Sequence, residues 1–129
     1  MKKSSVKDTH VLIVEDDEFL ANIYKTKFEM EGFKVSLSDN GESALVDIKK
    51  KLPQIVLLDI LLPKLDGFAV LEQLKKDETT KSIPVILLTN LGQKDDVDKG
   101  LSLGAVDYLI KAHFKPSETV EKVKKVLGM

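Results

Sequence analysis

Short apolar runs alternate with longer amphipathic stretches along nearly the whole chain, and this alternation limits the possible folds more than any other feature. The apolar runs have the length of strands: His10–Val14, Phe33–Ser38, Gln54–Leu58, Ile83–Leu88 and Tyr108–Ile110. The stretches between them carry apolar residues at helical spacing: Asp17–Met30, Asn40–Lys51, Asp66–Lys75, Lys94–Leu103 and Pro116–Leu127. Five strand-then-helix units predict an α/β fold in which five helices cover both faces of a five-stranded parallel sheet.

The length of 129 residues fits a single domain. Residues 1–9 are polar and predict a flexible N-terminal tail, so that the domain itself spans residues 10–129. In the second helix, the periodicity places Ala44, Leu45, Ile48 and Leu52 on one helical face.

The composition excludes several classes of protein. Hydrophobic residues make up 43% and charged residues 32% of the chain, and the net charge is −1. This balance is typical of a folded globular protein, and it gives no electrostatic footprint for nucleic acid. The chain has no cysteine, which excludes disulfides, thiolate metal sites and cysteine nucleophiles. Since no apolar run approaches the ~20 residues of a membrane span, we expect a cytoplasmic protein that contacts neither membrane nor nucleic acid.

Polar residues stand where four of the predicted strands end. Glu15 and Asp16 follow the first strand, Asp59 the third, Thr89 the fourth and Lys111 the fifth. In a doubly wound sheet of order 2-1-3-4-5, strands one and three are neighbours, and ligands bind beyond the carboxyl ends at this switch point. We therefore expect these side chains to cluster.

Three clustered carboxylates require a cation, because like charges at close range cannot all stay ionised alone. Oxygen ligands without histidine or cysteine favour Mg²⁺, with Mn²⁺ as the alternative. Lys111 and the Thr89 hydroxyl supply a positive charge and a hydrogen bond to the same place. Such a site suits phosphoryl transfer to a carboxylate, where positioning and charge neutralisation do most of the catalysis.

Four segments resemble the receiver domains of two-component response regulators: VLIVEDDE, LLDILLPKLDG, PVILLTN and GAVDYLIK. Their spacing agrees as well, with Thr89 thirty residues after Asp59 and Lys111 twenty-two residues after Thr89. The resemblance covers residues 10–128 and implies the flavodoxin-like form of the doubly wound sheet.

The resemblance also implies roles for individual residues. Asp59 would accept the phosphoryl group, and Asp16 would bind the metal directly and Glu15 through water. Thr89 and Lys111 would bind the phosphoryl oxygens.

Two further roles follow from the same resemblance. The backbone carbonyl of Leu61 would complete the metal site, together with a carboxylate oxygen of Asp59. Tyr108 would be an aromatic switch that responds when Thr89 moves.

The function implied is a stand-alone response regulator, a signalling switch rather than an enzyme in its own right. Its phosphoryl donor would be a histidine kinase or a histidine phosphotransfer protein. Its output would be a protein target that contacts the face formed by helix four, strand five and helix five. The protein would be a monomer or a weak, phosphorylation-linked dimer.

One departure from the family pattern keeps an alternative open. Family members commonly have proline directly after the lysine, whereas Lys111 is followed by Ala112, so the path of this loop and the isomer of the bond are open questions. The alternative function is a receiver-like binding module that works without phosphorylation. A haloacid-dehalogenase-type phosphatase would need an acid where Leu61 stands, and a flavodoxin-type electron carrier would need a hydroxyl- and glycine-rich loop in place of EDDEFL.

Overall fold

The computed structural model describes residues 8–89, 94–111 and 115–129. The five strands are β1 (His10–Val14), β2 (Lys34–Ser38), β3 (Ile55–Asp59), β4 (Val85–Thr89) and β5 (Asp107–Ile110). The five helices are α1 (Glu18–Met30), α2 (Gly41–Lys51), α3 (Gly67–Lys76), α4 (Lys94–Ser102) and α5 (Pro116–Val126). Strands and helices alternate, as the sequence predicted.

All strand pairs are parallel, and the order in the sheet is β2-β1-β3-β4-β5. The predicted doubly wound, flavodoxin-like fold is therefore confirmed. The order reverses between β1 and β3, where Val14 pairs with Leu58. The residues just beyond these two strand ends are the ones that the fold brings to the switch point.

The sheet separates two hydrophobic cores. One core packs β-strand side chains such as Leu12 and Leu58 against Ile48 of α2 and Leu71 of α3. The other packs the opposite sheet face against α1 and α5, with Tyr24, Phe28 and Val123 among its buried side chains. The three central strands are almost wholly buried, because helices cover both of their faces.

Helices α1, α2 and α3 begin at side-chain caps. Asp17, Asn40 and Asp66 accept hydrogen bonds from the backbone N–H groups of Leu20, Ser43 and Ala69 at 2.9–3.1 Å. The three predicted helices start at these capping residues, whereas the observed helices start after them. The difference arises because a capping residue is part of the sequence signal for a helix but has an extended backbone.

The prediction for Leu52 is wrong. The second helix ends at Lys51, and Leu52 is its C-cap with φ +46, in the left-handed region, and a side chain that is 48% exposed. The position one turn beyond Ile48 therefore leaves the helical face, because the chain turns there instead of continuing the helix.

Two predictions lie outside the described residues. They are the flexibility of the N-terminal tail, of which only residues 8 and 9 are described, and the path of the Lys111–Ala112 bond. None of the helices in the described ranges combines the length and apolar character that a bilayer crossing demands.

Candidate functional site

Carboxylates from two adjacent strands meet at the carboxyl edge of the sheet. Asp59 is the last residue of β3, and Glu15 and Asp16 follow β1 directly. One carboxylate oxygen from each of the three lies within 4.8 Å of the others. Glu15 and Asp59 are buried, with 2% and 3% of their surface exposed, whereas Asp16 faces solvent.

Lys111 reaches this group from the end of β5. Its Nζ lies 2.7 Å from Oδ2 of Asp59 and 2.8 Å from Oε1 of Glu15, and only 14% of the lysine side chain is exposed. The other oxygen of Asp59, Oδ1, accepts a hydrogen bond of 3.2 Å from the backbone N–H of Leu61. One ammonium thus bridges two buried carboxylates, and the three acids and one lysine carry a formal charge of −2.

Burial and charge shift the ionisation of both sides of this bridge. Burial raises the pKa of Glu15, and its contact with Lys111 only partly opposes that effect. Burial also disfavours the Lys111 ammonium, but its contacts with Asp59 and Glu15 outweigh burial and raise the pKa of the lysine. The Lys111 side chain is therefore stabilised in its charged form, while the positive charge near Glu15 does not fully compensate the burial of its carboxylate.

Two buried oxygen atoms of the site lack a directed hydrogen bond among the described residues. They are Oε1 of Glu15, whose contact with Lys111 is an ion pair, and Oγ1 of Thr89. Thr89 is the last residue of β4 and is 3% exposed. Because buried polar atoms normally have partners, the Thr89 hydroxyl is available to donate to an oxyanion, whereas Oε1 of Glu15 is already held by the Lys111 ammonium.

Tyr108 is placed where it can respond to Thr89. It pairs with Leu87 in the register of β4 and β5, and Leu87 and Thr89 share one face of the sheet. The tyrosine is half-buried and packs against the core on the side of α2 and α3. A displacement of Thr89 would therefore act on the residue diagonally beside it.

The sequence pattern did not reveal Tyr24, which is buried on α1 next to the site. Burial raises the pKa of its phenol, and the charges of Glu15 and Asp59 add to that effect. At the level of sequence, Tyr24 shows only the four-residue spacing of an ordinary core residue. The contact between Lys111 and Glu15 was also missed, because strand order places residues together without fixing which oxygen a lysine reaches.

Residues 11–124 match the family model of the response regulator receiver domain. The chain therefore belongs to the receiver domain family of two-component response regulators, whose members are signalling switches. The resemblance in sequence motifs is confirmed.

The chain is similar to longer curated proteins. It is 38% identical over 117 residues to the "Probable transcriptional regulator ycf27" of Porphyra purpurea, covering 91% of this chain and 46% of that protein. It is 37% identical to the "DNA-binding dual master transcriptional regulator RpaA" of Synechocystis, covering 91% of this chain and 48% of that protein. The chain spans about half the length of these relatives.

Solved structures agree in fold. The Francisella response regulator 1452 receiver domain has a TM-score of 0.83 and 32% identity, covering 91% of this chain and 94% of that one. The receiver domain of sensor histidine kinase PA1611 from Pseudomonas aeruginosa has a TM-score of 0.86 and 26% identity, covering 95% and 99%. That receiver holds a magnesium ion coordinated in its active site cleft.

Proposed function

We propose that the chain is a phosphorylation-controlled switch in which Asp59 accepts a phosphoryl group from a phosphohistidine. The observation that carries the proposal is the bridge from Lys111 to Asp59 and Glu15 at a carboxylate cluster that is mostly buried. A structural ion pair would need one acid, whereas Lys111 contacts two carboxylates and a third, that of Asp16, lies within 4.8 Å of theirs. The surplus negative charge is what a divalent cation neutralises.

The donor set fits Mg²⁺, with Mn²⁺ as the alternative. Asp16, Asp59 and the Leu61 carbonyl would hold the metal directly and Glu15 through water, and the close approach of the three carboxylates supports that role. When bound, the metal supplies positive charge against the phosphoryl oxygens. Carboxylate and carbonyl oxygens without nitrogen or sulfur are the ligands of hard cations.

The reaction is a direct transfer between two protein side chains. A carboxylate oxygen of Asp59 attacks the phosphorus, the bond from phosphorus to the donor imidazole nitrogen breaks, and the imidazole leaves with the electron pair. Lys111 remains charged and binds a phosphoryl oxygen, and the unpartnered hydroxyl of Thr89 donates to another. The switch assists its own phosphorylation and dephosphorylation and has no separate substrate.

The donor is a histidine kinase or a histidine phosphotransfer protein, which docks on α1 beside the site. An apolar groove of about 390 Å³ there is lined by Phe19, Ile23, Met30 and Pro116, among others. Phe19 is 77% exposed and Met30 75% exposed. Because α1 begins two residues after Asp16, a helix of the donor lying in this groove would bring its histidine close to Asp59.

The output face is formed by α4, β5 and α5. Only Val97 and Gly100 are buried on α4 among the described residues, and β5 is an edge strand with all four residues partly exposed. Elements with so few buried contacts are the ones that can change position at low free-energy cost. We propose that a protein target binds here, that the receiver itself contacts no nucleic acid, and that it is a monomer or a weak dimer linked to phosphorylation.

Mass spectrometry after incubation with acetyl phosphate and Mg²⁺ tests the proposal. We expect one phosphoryl adduct, absent from Asp59→Asn and from Asp16→Ala, and unchanged in Glu72→Gln, which removes an exposed carboxylate on α3. An adduct that persists in Asp59→Asn would exclude this acceptor. If no adduct forms at all, the alternative of a phosphorylation-independent binding module replaces the proposal.

A further inference from the structure

The loop that follows Asp59 is anchored where it enters α3. We call residues 60–66 the acceptor loop, since they join Asp59 to that helix. The N–H of Gly67 donates to the carbonyl of Ile60 at 2.8 Å. A Cβ added at Gly67 would overlap the carbonyl oxygen of Asp59 and lie 2.7 Å from the Cα of Ile60. A side chain at this position would therefore push the two ends of the loop apart.

A second anchor comes from a different helix. Gly41, the first residue of α2, donates its N–H to the carbonyl of Pro63 at 3.3 Å. A Cβ at Gly41 would overlap the carbonyl oxygen of Leu65 and lie 2.7 Å from both its carbonyl carbon and its Cβ, where real Cβ atoms essentially never come closer than 3.0 Å. Since the overlap is with backbone, it cannot be relieved by rotating a side chain.

The helix side of this contact is also fixed. Asn40 caps α2 by accepting a hydrogen bond of 2.9 Å from the N–H of Ser43. Gly41 lies directly between the cap and the first turn, so it cannot retreat without disturbing the start of the helix. An added methyl group must therefore displace the acceptor loop.

The backbone of the loop shows independently that it is held in one conformation. Lys64 has φ +69, in the left-handed region that residues with a Cβ rarely adopt. Such a conformation persists only where the surrounding structure fixes it. The carbonyl of Pro63, next to Lys64, accepts from both Gly41 and Leu65.

We propose that Gly41 is a positioning residue for the metal site: its missing side chain lets α2 hold the acceptor loop where Leu61 can present its carbonyl. Leu61 lies between the two anchors, and its N–H is bonded to Asp59 itself. Mg²⁺ accepts oxygen ligands only near ~2.0–2.1 Å and in close to octahedral geometry. A displaced loop is therefore expected to lose the metal before it loses the fold. This inference rests on the proposed function, because it assumes the metal site.

Gly100 provides a matched control. A Cβ there would overlap Cδ1 of Leu87, the end of a flexible side chain, and would lie 3.7 Å from Phe68. Gly100→Ala thus introduces an overlap in α4, away from the acceptor loop, that rotation of the Leu87 side chain can partly relieve. It should lower stability without altering the affinity for Mg²⁺.

The experiment is a Mg²⁺ titration of the wild-type protein, Gly41→Ala and Gly100→Ala, in which backbone amide NMR shifts report binding. Thermal unfolding of each protein measures its stability. We expect binding by Gly41→Ala to weaken by about 10- to 100-fold, the usual effect of losing a group that orients metal ligands. Gly100→Ala should bind as wild type does. If Gly41→Ala does not fold, Pro63→Ala, which frees φ beside Lys64, should weaken binding several-fold in its place.

The outcomes separate this inference from the proposed function. Wild-type affinity in a folded Gly41→Ala, or in Pro63→Ala where that variant replaces it, would overturn the positioning role and leave the proposed function intact. Absence of Mg²⁺ binding by the wild-type protein would overturn the metal site and this inference with it. Equal weakening in Gly41→Ala and Gly100→Ala would show a general effect of destabilisation and would also overturn the inference.

Discussion

Replacing Lys111 with methionine should destabilise the metal-free protein strongly and in a pH-dependent way. The substitution keeps much of the side-chain volume but removes the ammonium that lies 2.7 Å from Asp59 and 2.8 Å from Glu15. Two buried carboxylates would then face each other without a cation. Breaking a buried ion pair by removing one partner costs about 3–5 kcal/mol.

The protein can limit this loss by taking up a proton. Protonating a carboxyl group of ordinary pKa 4.5 at pH 7 costs about 3.4 kcal/mol, at 1.36 kcal/mol for each pH unit. The loss at pH 7 should therefore be about 3–4 kcal/mol, and it should fall to about 1.4 kcal/mol at pH 5.5.

The sign follows from the raised pKa of Glu15. Since its folded-state pKa lies above the unfolded value, the folded protein binds more protons between the two values, and stability falls as the pH rises through that interval. Loss of Lys111 raises the folded-state pKa of Glu15 further, because the contact with the ammonium is the largest of the effects that oppose burial. The difference between variant and wild type must therefore grow with pH.

Urea unfolding in EDTA at several pH values measures this difference. Lys122→Met is the matched control, since it breaks a 2.9 Å ion pair with Asp107 in which both side chains are about a third exposed, and such pairs contribute about 1 kcal/mol or less. A Lys111→Met loss no larger than that of the control, or one independent of pH, would refute the reasoning. Added Mg²⁺ should restore much of the stability, because it neutralises the same carboxylates.

Three shorter predictions concern other parts of the molecule. Leu52→Gly should raise the free energy of unfolding by about 0.5–1 kcal/mol. Glycine relieves the strain of the left-handed conformation, about 1–2 kcal/mol, and this gain exceeds the loss from the added entropy of the unfolded chain. An unchanged urea midpoint would contradict this prediction. Phe19→Ala should slow phosphoryl transfer from a phosphorylated histidine phosphotransfer domain but not from acetyl phosphate. The control Leu101→Ala, on α4, should slow neither transfer. Equal slowing of Phe19→Ala with both donors would argue against the docking groove. Thr89→Val removes a buried hydroxyl that has no hydrogen-bond partner within residues 8–89, 94–111 and 115–129. It should raise stability by about 1 kcal/mol while abolishing the NMR response of residues 94–111 to beryllofluoride; a retained response would exclude Thr89 as the link.

The fold could be predicted from the sequence because its signals are local and repeated. Each strand is a short apolar run, each helix has its own periodicity, and parallel connections leave few topologies. The start of α3 shows the limit of this reasoning. The predicted third helix begins at Asp66, which is the observed cap, yet the contact of Gly67 with the backbone of Asp59 depends on how the loop folds back. Such contacts between segments distant along the chain leave no periodic trace.

The clustering of the side chains at the site was predictable from the sequence, whereas the contacts within the cluster were not. Strand order alone brings Glu15 and Asp59 to one edge, because each stands at the end of a neighbouring strand. It does not determine that Lys111 reaches both, nor that Tyr24 is buried beside them, since these contacts depend on rotamers and on packing between α1 and the sheet. The sequence shows which charged side chains are present at the site. How far the ammonium neutralises the carboxylates depends on the folded structure.

The uneven burial of the domain connects the site to the proposed output face. Asp59 is surrounded by rigid structure, because β3 lies between β1 and β4 and its residues are buried. Moving the buried central strand to accommodate an added charge would be costly, and we propose that the response passes to a neighbour that is less firmly packed. Thr89 ends the next strand, and Tyr108 lies diagonally beside it on an edge strand whose residues are all partly exposed. We propose that the signal passes from β3 through β4 toward β5 and α4, where the described residues have the fewest buried side chains.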